Sequence, residues 1–437
     1  MADKFIKSIT FVKGGDVYYP LPKVTNADNG KVLKVVNGAW GFDENPKNLV
    51  KIEVTTSPTT VNYTEDDALD LTGLVVTATF DDGSTEDVTT WCIFSPASGT
   101  ILAATDTRIG ISYTYKGVMR NTSQIIVVEP AVLPYLRFIG NEDFTLKTYN
   151  TTKNWDGTLE YSTDTSTWNT WNGTEISSSG SKLYLRGTGN TRITDNSTNY
   201  RFVFTGAGTL KIACVGNIEN LLDYETVSAG GHPTMADFCY CEMFGGCTSL
   251  TTAPALPATT LANYCYAYMF DGCISLTTAP ALPATRLDVS CYSDMFRGCT
   301  ALTTAPALPA TTLAHFCYCE MFGGCTSLTT APALPATTLA SYCYAYMFDG
   351  CISLTTAPAL PATRLDVSCY SDMFRGCTNI KLSTTQTGEY QTAYRIPKSG
   401  TGTDAANALA NMFGNTGGTF TDTPSINTTY YTSNTVV

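Results

Sequence analysis

The chain has 437 residues and a formal net charge of −12. That is length for three or four domains, and a charge that argues against nucleic acid, whose phosphates need clustered Lys and Arg. Two histidines, His232 and His315, leave little material for histidine-based acid–base or zinc chemistry, and no apolar run reaches the ~18 residues of a membrane span.

Met1 to Thr10 carries two lysines but no apolar core of the secretory kind, and the C-terminal residues carry no apolar anchor, so ordinary export is not expected. Residues 1–46 read as short strands and turns. Asn29-Gly30 and Asn37-Gly38 are hairpin dipeptides on either side of Lys31–Val36. This piece is too small for a core of its own and is expected to dock on another body, with Val32, Leu33, Val35 and Trp40 as its anchoring residues.

Residues 47–130 have the strand spacing of a small β-sandwich. Leu74–Phe80 and Ser84–Val88 flank the turn Asp81-Asp82-Gly83, and Gly110–Tyr115 and Ser123–Val128 follow. Glu65-Asp66-Asp67 and Asp81-Asp82 offer carboxylates to a cation, without the spaced acidic loop that calcium sites use. Residues 131–222 form a second β-rich segment, with turns at Asn154–Gly157 and Ser177–Gly180 and strands at Lys182–Arg186, Arg201–Phe204 and Thr209–Val215. It is expected to cap what comes next. Trp155, Trp168 and Trp171 cluster within it and read as core, with an aromatic platform as the alternative.

Residues 223–393 hold six copies of a 26-residue unit, with Met-Phe pairs from Met243-Phe244 to Met373-Phe374 at unvarying spacing. A fixed period of this length marks a solenoid, whose units stack only on their neighbours. The apolar side chains of one unit fall far short of the entropy of ordering it, so the stack folds or nothing does. The block Phe238–Thr300 recurs at Phe316–Thr378 with a single difference, Asn263 against Ser341, so the copied module is three units long. Cys265, Met269 and Cys273 stand four residues apart, which predicts one face of a short helix ended by Gly272. Ser275–Ala279 is the predicted strand, and Pro280 and Pro283 hold an extended return. The expected fold is mainly β and multidomain, closing with an α/β solenoid of six turns. In residues 394–437, Ala405–Gly417 reads as a degenerate seventh unit, followed by a polar cap.

Fourteen of the sixteen cysteines lie in the repeats and read as a buried column of free thiols. Disulfides between turns are one alternative. Zinc is another, for which Cys239/Cys241 and Cys317/Cys319 come nearest to paired ligands.

Met243–Leu250 (Met-Phe-x-Gly-Cys-x-Ser-Leu) and Ala253–Thr259 (Ala-Pro-Ala-Leu-Pro-Ala-Thr) resemble the BspA-like leucine-rich repeats of gut bacterial surface proteins. The resemblance implies a leucine-rich-repeat-like solenoid and adhesion to proteins or glycans. Residues Ile52 to Val128, through Tyr63, Asp70–Val76 and Phe80–Ser84, are similar to the group 3 bacterial Ig-like domain. Ala27–Trp40 is similar to a segment near the start of tailed-phage head-fibre and tail-fibre proteins. That implies a virion protein folded in the host cytoplasm, released by lysis, and held by its N-terminus to capsid or tail proteins.

One tyrosine stands three residues before each repeat Met: Tyr240, Tyr266, Tyr292, Tyr318, Tyr344 and Tyr370. Such a column suits stacking on sugar rings or a partner, and packing between turns is the other reading. Tyr268 and Tyr346 recur only every third unit and are expected at the surface. No phosphate loop, nucleophile elbow or paired-carboxylate cleft is present, so no enzyme and no cofactor are expected. The expectation is a phage display protein, a head fibre ahead of a tail fibre, assembled as a homo-oligomeric trimer and meeting host-surface or mucin glycans. A bacterial cell-surface adhesin and a purely structural capsid cement are the alternatives.

Overall fold

The computed structural model describes residues 47–64, 67–100, 102, 106–129, 133–195, 201–397 and 405–437, together with the backbone of 32–36 and 39–43. The chain is mainly β and forms two compact units, Met1–Ala131 and Val132–Val437.

In the first unit, β1 (Val32–Val36) pairs antiparallel with β2 (Ala39–Asp43), placing Val35 opposite Trp40 and Leu33 opposite Phe42. Both Asn-Gly dipeptides, Asn29-Gly30 and Asn37-Gly38, lie outside the described residues. Strands β3 (Leu49–Thr56), β5 (Val75–Phe80) and β6 (Thr85–Asp87) form one sheet, and β7 (Ile93–Ser95), β8 (Arg108–Tyr115) and β9 (Val118–Ile125) another. Between them β4 (Asn62–Thr64) pairs parallel with β10 (Val127–Glu129). The period-2 alternation sends Val76, Ala78 and Phe80 from β5 and Ile109 and Ile111 from β8 into one core. Tyr63 is buried there, its hydroxyl donating to the Thr60 and Asp70 carbonyls at 3.0 and 2.8 Å. The Asp81 carboxylate accepts from the Asn48 backbone and side-chain amides, and Asp82 accepts from the Ser84 N–H. Asp82 holds its own turn together, and Asp81 ties that turn to the residue before β3.

The second unit opens with β11 (Leu136–Gly140), β12 (Phe144–Thr148), β13 (Thr158–Ser162), β14 (Asn169–Trp171), β15 (Ile176–Ser177), β16 (Lys182–Thr188), β17 (Phe202–Gly206) and β18 (Ile212–Val215). A short helix follows, α1 (Asn220–Ser228), broken at Asp223. The six-stranded sheet runs β14-β13-β16-β11-β18-β19, and β19 (Leu250–Thr252) already belongs to the first repeat. Further main-chain bonds cover that repeat, among them Phe202 N–H to Met243 C=O and Ile193 N–H to Cys239 C=O. One buried cluster extends from Leu136 to Tyr430, so the segments expected as 131–222, 223–393 and 394–437 share a core. Trp155 and Trp171 stack within it at 5.1 Å, which removes them from any surface platform. Trp168 stays part-exposed, with the Arg186 guanidinium 4.0 Å above its ring.

The repeats contain no helix among the described residues, which corrects the helix expected over Ala262–Gly272. The four-residue spacing comes from a chain of tight turns. Tyr264, Tyr268 and Gly272 all have left-handed φ, at 58°, 56° and 68°, and the same three positions recur in every unit. Cys265, Ala267, Met269, Asp271 and Cys273 each donate their N–H three residues back. The alternate residues, Tyr264, Tyr266, Tyr268, Phe270 and Gly272, donate to carbonyls 25 positions on, in the next unit. A helix would spend all these donors inside one segment. Here half of them tie unit to unit, and each four-residue turn sends two neighbours inward, Cys265-Tyr266 and then Met269-Phe270. The predicted parallel sheet is reduced to single bridges such as Thr278 to Thr304 and Thr304 to Thr330, because the Ala-Pro segments supply few donors.

At the far end, Ala405–Gly414 continues the ladder as a seventh unit. Tyr370 N–H donates to Ala408 C=O and Phe374 N–H to Met412 C=O. The last elements cover it: β20 (Thr356–Ala357), β21 (Leu382–Ser383), β22 (Thr392–Arg395), β23 (Thr429–Thr432) and β24 (Thr435–Val436). β24 runs parallel to β20, and the Asn434 amide donates to the Thr355 and Asn379 carbonyls.

Because each unit is tied to both neighbours, Phe296→Ala in mid-stack should lower the stability of residues 132–437 as a whole, by about 3–5 kcal/mol. Chemical denaturation followed by far-ultraviolet circular dichroism would show one shifted transition. Loss of only a small fraction of the signal, with the rest unmoved, contradicts this.

Candidate functional site on the turn face of the repeats

The structure divides the expected tyrosines. Tyr240, Tyr266, Tyr292, Tyr318, Tyr344 and Tyr370 are fully buried, their ring centroids 5.5 to 5.8 Å apart and nearly parallel along the stack. A parallel column of phenylalanines lies beside them, from Phe244 to Phe413. Each ring spends its faces on its neighbours, so none is open to a sugar or a partner. That corrects the surface role expected for these six. Burial drives their hydroxyls well above the ordinary phenol range.

Tyr268 and Tyr346 behave differently. Each occupies a left-handed position at the outer corner of a turn, and Tyr268 is 37% exposed. Beside Tyr268, Arg297 reaches back one unit to Asp271 with two hydrogen bonds, Nε to Oδ1 and Nη2 to Oδ2, both 3.1 Å. Such a two-pronged pair fixes the guanidinium plane. Asp294 at 3.4 Å and Glu320 at 3.8 Å approach the same cation, and the guanidinium carbon lies 5.8 Å from the Tyr268 ring centre. The block copy repeats this at Tyr346, Arg375, Asp349 and Asp372, with the guanidinium 5.2 Å from the ring. In this second copy Asn411 donates to Asp372 at 2.7 Å.

The electrostatics of the first copy are set by burial. Asp294 is held above its ordinary value by desolvation, against the lowering effects of the Ser293 hydroxyl and Arg297. Glu320 is raised by burial and by Asp294. The outcome is a ribbon of phenol faces, carboxylates and guanidinium groups, suited to shallow polar contacts with hydroxyl-rich ligands. The spacing of the tyrosines pointed to two of its members. The charged members escaped notice, although three of the six charged residues between Phe238 and His315 are Asp271, Asp294 and Arg297.

All sixteen cysteines are free, so no disulfide links the turns. The thiols of Cys273, Cys299, Cys325, Cys351 and Cys377 donate to Phe carbonyls of the preceding unit at 2.9 to 3.2 Å. Burial pushes Cys265, Cys299 and Cys317 up to about 12. Among the described residues no three His, Cys, Asp or Glu side chains are grouped to hold a metal, and no helix is long and apolar enough to cross a membrane.

No protein-family model matches this chain, and no curated protein matches it.

Two outcomes follow. Asp294 has a raised folded value, so its contribution to stability is fullest below the ordinary carboxyl value near ~3.9 and is lost as pH rises through the raised value. Asp294→Asn should therefore gain thermal midpoint relative to the native chain more at pH 7 than at pH 4; an equal difference at both contradicts this. Native thiol titration should find at most Cys92 and Cys319 reactive, the two that are part-exposed, and all sixteen in denaturant.

Proposed function

We propose that this chain is a non-enzymatic display protein of a tailed-phage particle, a head fibre or decoration, that presents a leucine-rich-repeat-like solenoid to host-surface or mucosal glycans. The similarity of Ala27–Trp40 to head-fibre and tail-fibre segments supports the particle, with residues 1–46 as the docking piece. The group 3 Ig-like motifs between Ile52 and Val128 support a spacer, and the BspA-like motif supports the solenoid and its adhesive use.

The observation that carries the reading is the duplicated surface station. Tyr268 with Arg297 and Tyr346 with Arg375 stand three turns apart on one stack, whose buried tyrosine rings between them repeat at 5.8 Å. Each station alone offers a weak contact. Two on a fixed scaffold, multiplied again in a trimer, turn weak contacts into avidity.

Immunogold electron microscopy of purified particles, with antibody raised against residues 132–437, tests the location. Label on capsids or tails is expected, and label confined to the bacterial envelope transfers the protein to the adhesin class. On mucin-coated surfaces, Tyr268→Ala or Tyr346→Ala alone should cost about tenfold or less in retention, and the double variant ~100-fold. Unchanged retention in the double variant removes the ribbon from the binding function.

A further inference from the structure

The first repeat has a corner that the others lack. Within the stack the glycines pile on one another, so that a Cβ on Gly272 would sit 3.6 Å from Gly246 Cα, and one on Gly298 the same distance from Gly272 Cα. Every such corner is covered by the unit before it. Gly246 has no preceding unit, and a Cβ there would have the Arg201 guanidinium as its nearest neighbour, 3.8 Å away. Around it lies an open groove of about 610 Å³, between the chain from β17 to the start of β18 and the Gly245–Ser249 and Ile274–Ser275 corners of the first two repeats.

Its walls are fixed by hydrogen bonds outside the groove itself. The Glu142 carboxylate accepts from Gly208 N–H at 2.9 Å, and a Cβ on Gly206 would strike that carboxylate at 2.6 Å. The Asn141 side chain accepts from Lys211 N–H at 2.8 Å and donates to Thr209 C=O at 3.1 Å. The connection from β17 to β18 is thus tied to the β11–β12 turn at several points, which lowers the cost of ordering it around a ligand.

The chemistry of the lining runs against that of the chain. In a protein of net charge −12, the groove is lined by Arg201 and Lys211 and by no Asp or Glu. The Arg201 guanidinium lies 4.7 Å from the centre of the Tyr149 ring, which is 53% exposed, and 3.5 Å from Glu242, which stands outside the lining. Lys211 Nζ donates to Ser275 Oγ at 2.7 Å, so its position too is set. Threonine and serine hydroxyls, including Thr248, complete the walls. Two cations call for an anion, an exposed ring beside them suits the face of a pyranose, and the volume is that of an organic ligand.

We propose that this groove binds an acidic saccharide unit, its carboxylate or sulfate held by Arg201 and Lys211 and its ring laid against Tyr149. The inference rests on the adhesion reading only for the source of the ligand, a terminal acidic sugar of a host or mucin glycan. It places a charge-selective site at the covered end of the stack, one unit before the Tyr268 station.

Calorimetric titration of the full chain with sialyllactose, sulfated lactose, lactose and inorganic sulfate tests it. Both acidic sugars should bind about tenfold or more tighter than lactose, and inorganic sulfate more weakly than sulfated lactose. Lys211→Met should erase the preference for the acidic sugars, and Tyr149→Ala should weaken acidic and neutral sugars alike. Lys211→Gln serves as a second variant should Lys211→Met unfold, and thermal midpoints show that the stack persists. Equal binding of lactose and sialyllactose, or an acid preference that survives in the Lys211 variant, overturns the proposal. Sulfate binding as tightly as sulfated lactose overturns it too, reducing the groove to a bare anion site. Failure here leaves the particle location untouched, and envelope-only label in the microscopy leaves the groove's selectivity untouched.

Discussion

The second unit depends on one device: alternate main-chain N–H groups of each turn segment leave their own unit and donate to the next. The neighbouring donors close the tight turns, so the segment uses its main-chain hydrogen bonding in two directions at once. Left-handed geometry at every fourth residue is the condition for this, and it costs about 1–2 kcal/mol at a position that is not glycine. Tyr264, Tyr268, Ser290 and Asp294 all accept that geometry. It persists because the stack over-determines it. The same register then fixes the tyrosine and phenylalanine columns, the thiol-to-carbonyl bonds and the outer ribbon.

Much of this was legible in the sequence, and the part that was not has a definite cause. The period, the three-unit block copy, the degenerate seventh unit and the free thiol column all follow from residue spacing. The helix did not materialise because a four-residue spacing of apolar side chains fits two backbones. The α-helix repeats at ~3.6 residues, and a chain of four-residue turns repeats at four. A signal that separates them lies at the end of the stack. In the seventh unit the left-handed positions are Asn407, Asn411 and Asn415, spaced by four, and asparagine is the side chain that tolerates that region best after glycine. Read together with the glycine at the third position of each earlier unit, those asparagines argue for turns.

The candidate surface was legible only in part. Spacing identified Tyr268 and Tyr346 as exceptions to the column, and they are the tyrosines at the outer corners. The buried column was not distinguishable from an exposed one by period alone, because both recur once per turn. The groove at Gly246 could not be read at all. It arises where a β-rich segment replaces a missing repeat, bringing Tyr149, Arg201 and Lys211 to a corner that neither piece forms alone. Ends of stacks are where repetition stops constraining the chain, and there a distinct chemistry can be built without disturbing the ladder.

Amide hydrogen exchange on the intact chain tests the mutual dependence of the turns most directly. The account predicts that the N–H groups of Tyr266, Tyr292, Tyr318 and Tyr344, which bridge successive units, exchange with one common protection set by unfolding of the whole of residues 132–437. Interior repeats that open one at a time, each with its own low protection, would contradict it.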